Sequence, residues 1–210
     1  MTVAIIGTGK MGGGMARLLA SSGIEVAIGH RDLAKASALA QEIGPKARSG
    51  SVADATKLAD IVLLATPYSA AFEALREAGD LSGKILIDIS NPITPDYKAL
   101  TVGHTTSAAE EIQKAVPTAK VVKAFNTIFS ELLPAEARKG RSMPVQVFVA
   151  GDDEAAKKIV SEIIAKTGFE PVESGALSNS RYLEPVGEIN IHFGFFLGWG
   201  TSAAPVWMKA

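Results

Sequence analysis

The chain contains no cysteine. That absence excludes disulfides, zinc–thiolate centres, iron–sulfur clusters and thiol nucleophiles together. Histidine is scarce as well: His30, His104 and His192 lie far apart, without a carboxylate pattern to match, so no metal site is expected. Charge of either sign is nearly balanced, with 21 Lys and Arg against 22 Asp and Glu. No basic block stands out, which argues against a nucleic-acid partner. No apolar run approaches the roughly 18 residues that read as a membrane span. The apolar pattern begins at Val3, which leaves no room for a leader and predicts a cytoplasmic protein. At 47% hydrophobic and 20% charged residues, the 210-residue chain is globular, and no long linker divides it.

What is present is concentrated at the N-terminus. Val3-Ala4-Ile5-Ile6 is followed at once by Gly7-Thr8-Gly9-Lys10-Met11-Gly12, a helix-like stretch through Ala20, and a second apolar run, Ile24 to Ile28. Strand, glycine turn, helix and strand in that order form the dinucleotide-binding pattern of a Rossmann unit. Gly7 makes the tight turn off the strand, Gly9 lets a pyrophosphate approach the backbone, and Gly12 lets the helix pack on the strand. The free N–H groups and dipole of the helix N-terminus favour the phosphates.

The end of the second strand selects the dinucleotide. An Asp or Glu there would hydrogen-bond the ribose 2′-hydroxyl of NAD. This chain has Gly29-His30-Arg31 instead, with Lys35 one helical turn beyond. An arginine fork grips a 2′-phosphate that an acid would repel. The reading is therefore NADP(H), with Asp32 as the N-cap of the next helix.

The alternation continues as helix Leu33–Ile43, short strand 46–48, helix 51–58 with a Ser51/Asp54 capping box, and the buried strand Asp60 to Ala65. Helix 70–78 and strand 84–88 follow, then helix 106–116 opened by Ser107 and Glu110, and strand 120–125. The C-terminal portion reads as strand 145–150, helix 154–167, edge strand 169–172 and a final helix 180–196. The basic stretch Arg138, Lys139 and Arg141 reads as an exposed loop. The fold class is α/β: a Rossmann-type, doubly wound, mostly parallel sheet with a small α/β C-terminal part. Residues 1–150 form the dinucleotide-binding domain, and residues 151–210 complete an acceptor pocket. Ligands bind beyond the carboxyl ends of such strands, where Ala65-Thr66-Pro67-Tyr68 and Ser90-Asn91-Pro92 fall.

These residues resemble the NADPH-dependent deazaflavin (coenzyme F-420) reductases and, more distantly, the cytosolic domain of the six-transmembrane metalloreductases. The resemblance runs over nearly the whole chain. It is carried by the glycine turn, His30-Arg31 with Lys35, Val121-Val122-Lys123-Ala124-Phe125-Asn126-Thr127, Val149-Ala150-Gly151-Asp152-Asp153 and Gly175 to Arg181. It implies that Thr8, Lys10 and Met11 wrap the pyrophosphate and that His30, Arg31 and Lys35 clamp the 2′-phosphate. Thr66-Pro67-Tyr68 would lie beside the nicotinamide ribose, and Phe125-Asn126-Thr127 near the face where a deazaflavin stacks. The archaeal enzymes often carry a histidine near Asn126, which this chain lacks, so a flavin, quinone or metal-chelate acceptor stays open.

Hydride transfer from nicotinamide C4 to a small-molecule acceptor ring, a diffusible deazaflavin or flavin, asks the protein for orientation and dryness rather than acid–base groups. No catalytic residue is assigned. Asn126 either orients the nicotinamide carboxamide or satisfies a strand end. His104 is a polar loop residue or lines the acceptor pocket. The apolar C-terminus, from Ile191 to Met208, pairs two copies into a homodimer, packs on its own domain or faces a membrane. Of these, the homodimer is the expectation, in part because the family it resembles is dimeric. A dinucleotide sensor without turnover is the competing class. A β-hydroxyacid or imine reductase would need a long helical C-terminal domain, and too few residues follow Phe169 for one.

Overall fold

A computed structural model describes residues 1–208. The first six strands are β1 (Thr2–Ile6), β2 (Glu25–Gly29), β3 (Ala47–Gly50), β4 (Ile61–Leu64), β5 (Ile85–Asp88) and β6 (Lys120–Lys123). With β7 (Gln146–Gly151) and β8 (Glu170–Glu173) they form one sheet in the order β3-β2-β1-β4-β5-β6-β7-β8. The first six strands are parallel; β7 pairs antiparallel with β6 and parallel with β8. The residues after 151 thus continue the same sheet.

Strand alternation sorts the core to both faces. Val3 and Ile5 of β1 point to the side covered by α1 (Lys10–Ser21), α2 (Leu33–Ile43) and α6 (Glu154–Lys166). Ala4 and Ile6 point to the side covered by α3 (Val52–Lys57), α4 (Tyr68–Ala78) and α5 (Ala108–Ala115). Strands buried on both faces read as unbroken apolar runs for that reason. Because α1 leaves β1 on one face and α4 leaves β4 on the other, a crevice opens between the carboxyl ends of β1 and β4.

Local signals held where the chemistry is local. Helix α2 has the expected bounds, and Asp32 caps it by accepting from Ala34 N at 3.0 Å. Ser51 and Asp54 form the reciprocal capping box of α3. Three segments differ. The strand expected over 120–125 stops at Lys123, because Phe125 adopts φ +58° and turns the chain out of the sheet, its ring buried edge-on against Phe169. The last helix, α7, runs Ser180–Ile191 and widens into one π-helical turn at His192–Phe196. Arg138 is no surface loop residue. It donates to the carbonyls of Leu132, Leu133 and Thr167, each at 2.6 Å, and its guanidinium lies 3.9 Å from the Phe169 ring centroid. These partners come from two segments, 132–133 and 167–169, so composition gave no sign of them.

The C-terminal tail returns to its own sheet. Trp207 N donates to Gln146 Oε1 at 2.7 Å, Gln146 Nε2 donates back to Trp207 O at 3.2 Å, and Arg141 donates to Ser202 O. Among the described residues, no helix is long and apolar enough to cross a membrane.

Candidate active site

The glycine turn forms the floor of the crevice. Gly7 has φ +110°, and a Cβ there would meet Ala65 O at 2.8 Å. A Cβ on Gly12 would lie 2.1 Å from Gly7 O, so only glycine lets α1 sit this close to β1. Gly9 is different: a Cβ there meets nothing within 4 Å. It caps α1 without a side-chain hydrogen bond, and the first turn of α1 carries no acid. The N–H groups of that turn therefore face an open, positively polarised space.

Beyond the turn lies a cavity of about 670 Å³ lined by Gly9, Lys10, Met11, Ala65 to Ser69, Ile89, Ser90, Asn91, Ile93 to Pro95, Tyr97 and Thr101. Thr66 Oγ1 and Ser90 Oγ are buried on this wall without a hydrogen-bond partner. Buried hydroxyls left unpaired mark where a polar ligand would supply the missing partner. Burial, followed by the charges of Glu111, Glu184 and Asp88, pushes the Tyr68 phenol up, so it stays a neutral hydrogen-bond donor.

The opposite end of the crevice is a recess of about 70 Å³ lined by Gly7, Gly29, His30, Arg31, Val52, Ala70, Ala74 and Glu77 among others. His30 Nδ1 lies 2.9 Å from Asp32 N and 3.2 Å from Asp32 O, which fixes the ring over the start of α2. Arg31 already has partners: Glu73 at 2.9 Å and Glu77 at 3.7 Å, both on α4. These exposed pairs are weak. Lys35 is exposed on α2.

The structure thus brings Gly7, Gly9, Lys10, Met11, Ala65, Thr66, Pro67, Tyr68 and Asn91 to one crevice, with His30 and Arg31 at its far end. Thr8, Gly12, Lys35 and Pro92 are not on either wall. Asn126 and Thr127 are buried behind Asn91. The Asn126 amide donates to Asn91 Oδ1 and Leu183 O, and Asn91 Nδ2 donates to Asn126 O at 2.7 Å. Asn91 lines the cavity with its amide paired to Asn126, and Asn126 stands one layer behind it with its Oδ1 unpartnered. His104 is exposed in a left-handed turn and does not line the cavity.

Sequence reasoning missed what lies behind this wall. Lys123 is fully buried with its ammonium 2.6 Å from Asp88, 2.8 Å from Glu184 and 2.8 Å from Ser90 O. The available signal was a lysine inside the apolar run Val121 to Phe125, where an outward face was not available to it.

Fold and crevice together define a Rossmann-type NADP-dependent oxidoreductase. The family model for coenzyme F420-dependent NADP oxidoreductases matches residues 2–92. The F420-dependent NADP reductase of Methanothermobacter thermautotrophicus is 31% identical over 202 residues, 89% of this chain and 86% of that protein. A crystal structure from Arthrobacter sp. FB24, described as a candidate F420-dependent NADP reductase, superposes with TM-score 0.85 at 32% identity, over 95% of this chain and 96% of the other. Metalloreductase STEAP3 of Rattus norvegicus is 30% identical over 184 residues, 88% of this chain, which spans only 36% of its length. The chain belongs to the F420-dependent NADP reductase family.

Proposed function

We propose that the protein passes hydride between NADPH and a flat deazaflavin-type ring laid in the 670 Å³ cavity. The observation that carries this reading is the composition of that wall. It joins the glycine cradle to the ends of β4 and β5, it is largely apolar through Met11, Ile89, Ile93 and Tyr97, and it holds unpaired hydroxyls at Thr66 and Ser90. The bound dinucleotide supplies the hydride. The chain's own work is to hold the pyrophosphate on the first turn of α1, hold the ribose at Thr66 to Tyr68, and exclude water. Arg31 exchanges its α4 carboxylates for the 2′-phosphate, with Lys35 adding charge from the neighbouring helix.

Stopped-flow oxidation of NADPH against deazaflavin, FMN, FAD, a quinone and a ferric chelate tests the acceptor. Turnover with deazaflavin is expected; turnover with ferric chelate alone would transfer the assignment to metal reduction, and binding without turnover would favour a sensor. Arg31→Ala is expected to weaken NADPH binding about 10- to 100-fold, the loss of one or two charge-assisted hydrogen bonds. NADH binding should be unchanged, and an equal loss for both would remove the 2′-phosphate role.

A homodimer is the second part of the proposal. Phe195, Phe196, Leu197, Trp199, Trp207 and Met208 are each at least 46% exposed, although Trp207 is pinned by its backbone to Gln146. A cluster of exposed aromatics of this kind suits an interface between copies. Sedimentation should show a dimer that Phe196→Glu with Trp199→Glu converts to monomer; a monomeric wild type would end this part.

A further inference from the structure

Helix α7 docks on the ends of β5 and β6 through a row of residues spaced three apart: Glu184, Gly187 and Asn190. None of the three contributes apolar packing. The one buried apolar anchor of α7 is Leu183, against Phe148 and Ala150. Glu184 takes the Lys123 ammonium at 2.8 Å and two backbone N–H groups at the start of α5, Ala108 and Ala109, at 2.9 and 3.2 Å. Asn190 donates to Thr127 O at 3.1 Å. A Cβ on Gly187 would lie 2.7 Å from the Asn91 amide and 2.9 Å from Asn126 O.

The charges balance only with every member present. Asp88 and Glu184 face a single Lys123, and the helix N-terminus of α5 offsets the second carboxylate. Buried arrays of this sort are poor stabilisers against an apolar core of the same volume; their attested use is to specify one arrangement. Here the specified arrangement includes the cavity wall. Lys123 holds Ser90 O, Asp88 Oδ1 holds Ser90 N at 2.9 Å, and the amide pair under Gly187 holds Asn91.

We propose that Lys123, Glu184 and Gly187 are positioning residues. Through them α7 sets where Ser90 and Asn91 stand on the wall, and with that the alignment of nicotinamide and acceptor. Gly187 is glycine because the Asn91–Asn126 amide pair occupies the space of its Cβ. The inference rests on the reading of this cavity as the nicotinamide site.

Gly187→Ala and Glu184→Gln test it in the full chain. Gln puts an N–H where the carboxylate accepted from either Lys123 or α5, so α7 must shift even though its volume is kept. For each variant, NADPH affinity, the emission of the bound nicotinamide and the single-turnover rate are measured beside the thermal midpoint. The expected result is a transfer rate reduced about 10- to 100-fold, as for a misplacement near 1 Å. Emission of the bound nicotinamide should be altered and affinity retained, because phosphates and adenosine bind elsewhere. Wild-type rate and emission in either folded variant would overturn the proposal. So would a rate loss that only tracks lost affinity and midpoint. If the wild type changes nicotinamide emission on binding yet turns over no acceptor, the acceptor assignment falls while the emission comparison still decides the role of α7.

Discussion

Lys123→Met is expected to destabilise the protein by about 3–5 kcal/mol at neutral pH, the usual consequence of removing one partner from a buried ion pair. For a chain of this size each kcal/mol moves the midpoint by about 2–4 °C, so a fall of roughly 10 °C is expected. Asp88 and Glu184 would remain in the core without a counter-charge. In the wild type, burial pulls the Lys123 ammonium down, but the charges of Asp88 and Glu184 reverse this and raise it, so it stays protonated. Burial pushes the Glu184 carboxyl up even against the pull of Lys123. Without the lysine that rise grows. A carboxyl whose folded pKa exceeds its unfolded value near 4 destabilises above that value and is relieved as pH falls through the folded one. The gap between wild type and variant should therefore be widest near pH 7 and narrow toward about pH 4. Thermal unfolding across that range checks the sign. A gap that does not change with pH would assign the loss to packing and remove the charge argument.

The second large effect separates two glycines three residues apart. Gly12→Val should prevent stable folding or lower the midpoint by roughly 10 °C, because overpacking of a core contact costs about 3 kcal/mol or more when backbone cannot move. The Cβ alone would stand 2.1 Å from Gly7 O and 2.9 Å from Gly7 C, and 3.1 Å from the Ala65 side chain. Relief requires α1 to leave β1, which dismantles the crevice floor. Gly9→Ala should leave the midpoint unchanged, since its φ of −67° suits any residue and its Cβ would point into open space. In the proposed function the pyrophosphate approaches through that space, so NADPH affinity should fall about 100-fold or more with the loss of close backbone hydrogen bonds. Calorimetry of the two variants with and without NADPH gives both readings. A Gly9→Ala protein that binds normally would move the phosphates off this turn.

Much of the fold was legible because its determinants are local. Val3 to Gly12 carries strand, turn and helix start within ten residues, and the caps at Asp32 and Ser51 close on Ala34 and Asp54, two and three residues on. The apolar runs of β4 and β5 announced central strands because both faces are covered. The roles of Arg138 and Asn126 were not legible. Each is set by partners more than five residues away: Thr167 and Phe169 for one, Asn91 and Leu183 for the other.

By itself, the sequence determined that this is a Rossmann-type oxidoreductase with a strand, glycine turn and helix at its start and a second strand that ends in His30 and Arg31 rather than an acid. Those are properties of short contiguous segments, where backbone geometry and residue chemistry coincide. Only the tertiary structure decided that Arg31 is held by Glu73 and Glu77, and that Asn91 rather than Asn126 is a lining residue of the cavity. It alone brought Lys123, Asp88 and Glu184 from β6, β5 and α7 into one buried array. The physical reason is that charge pairing and amide pairing act over about 3 Å in space with no limit on separation along the chain, so no periodicity or spacing records them.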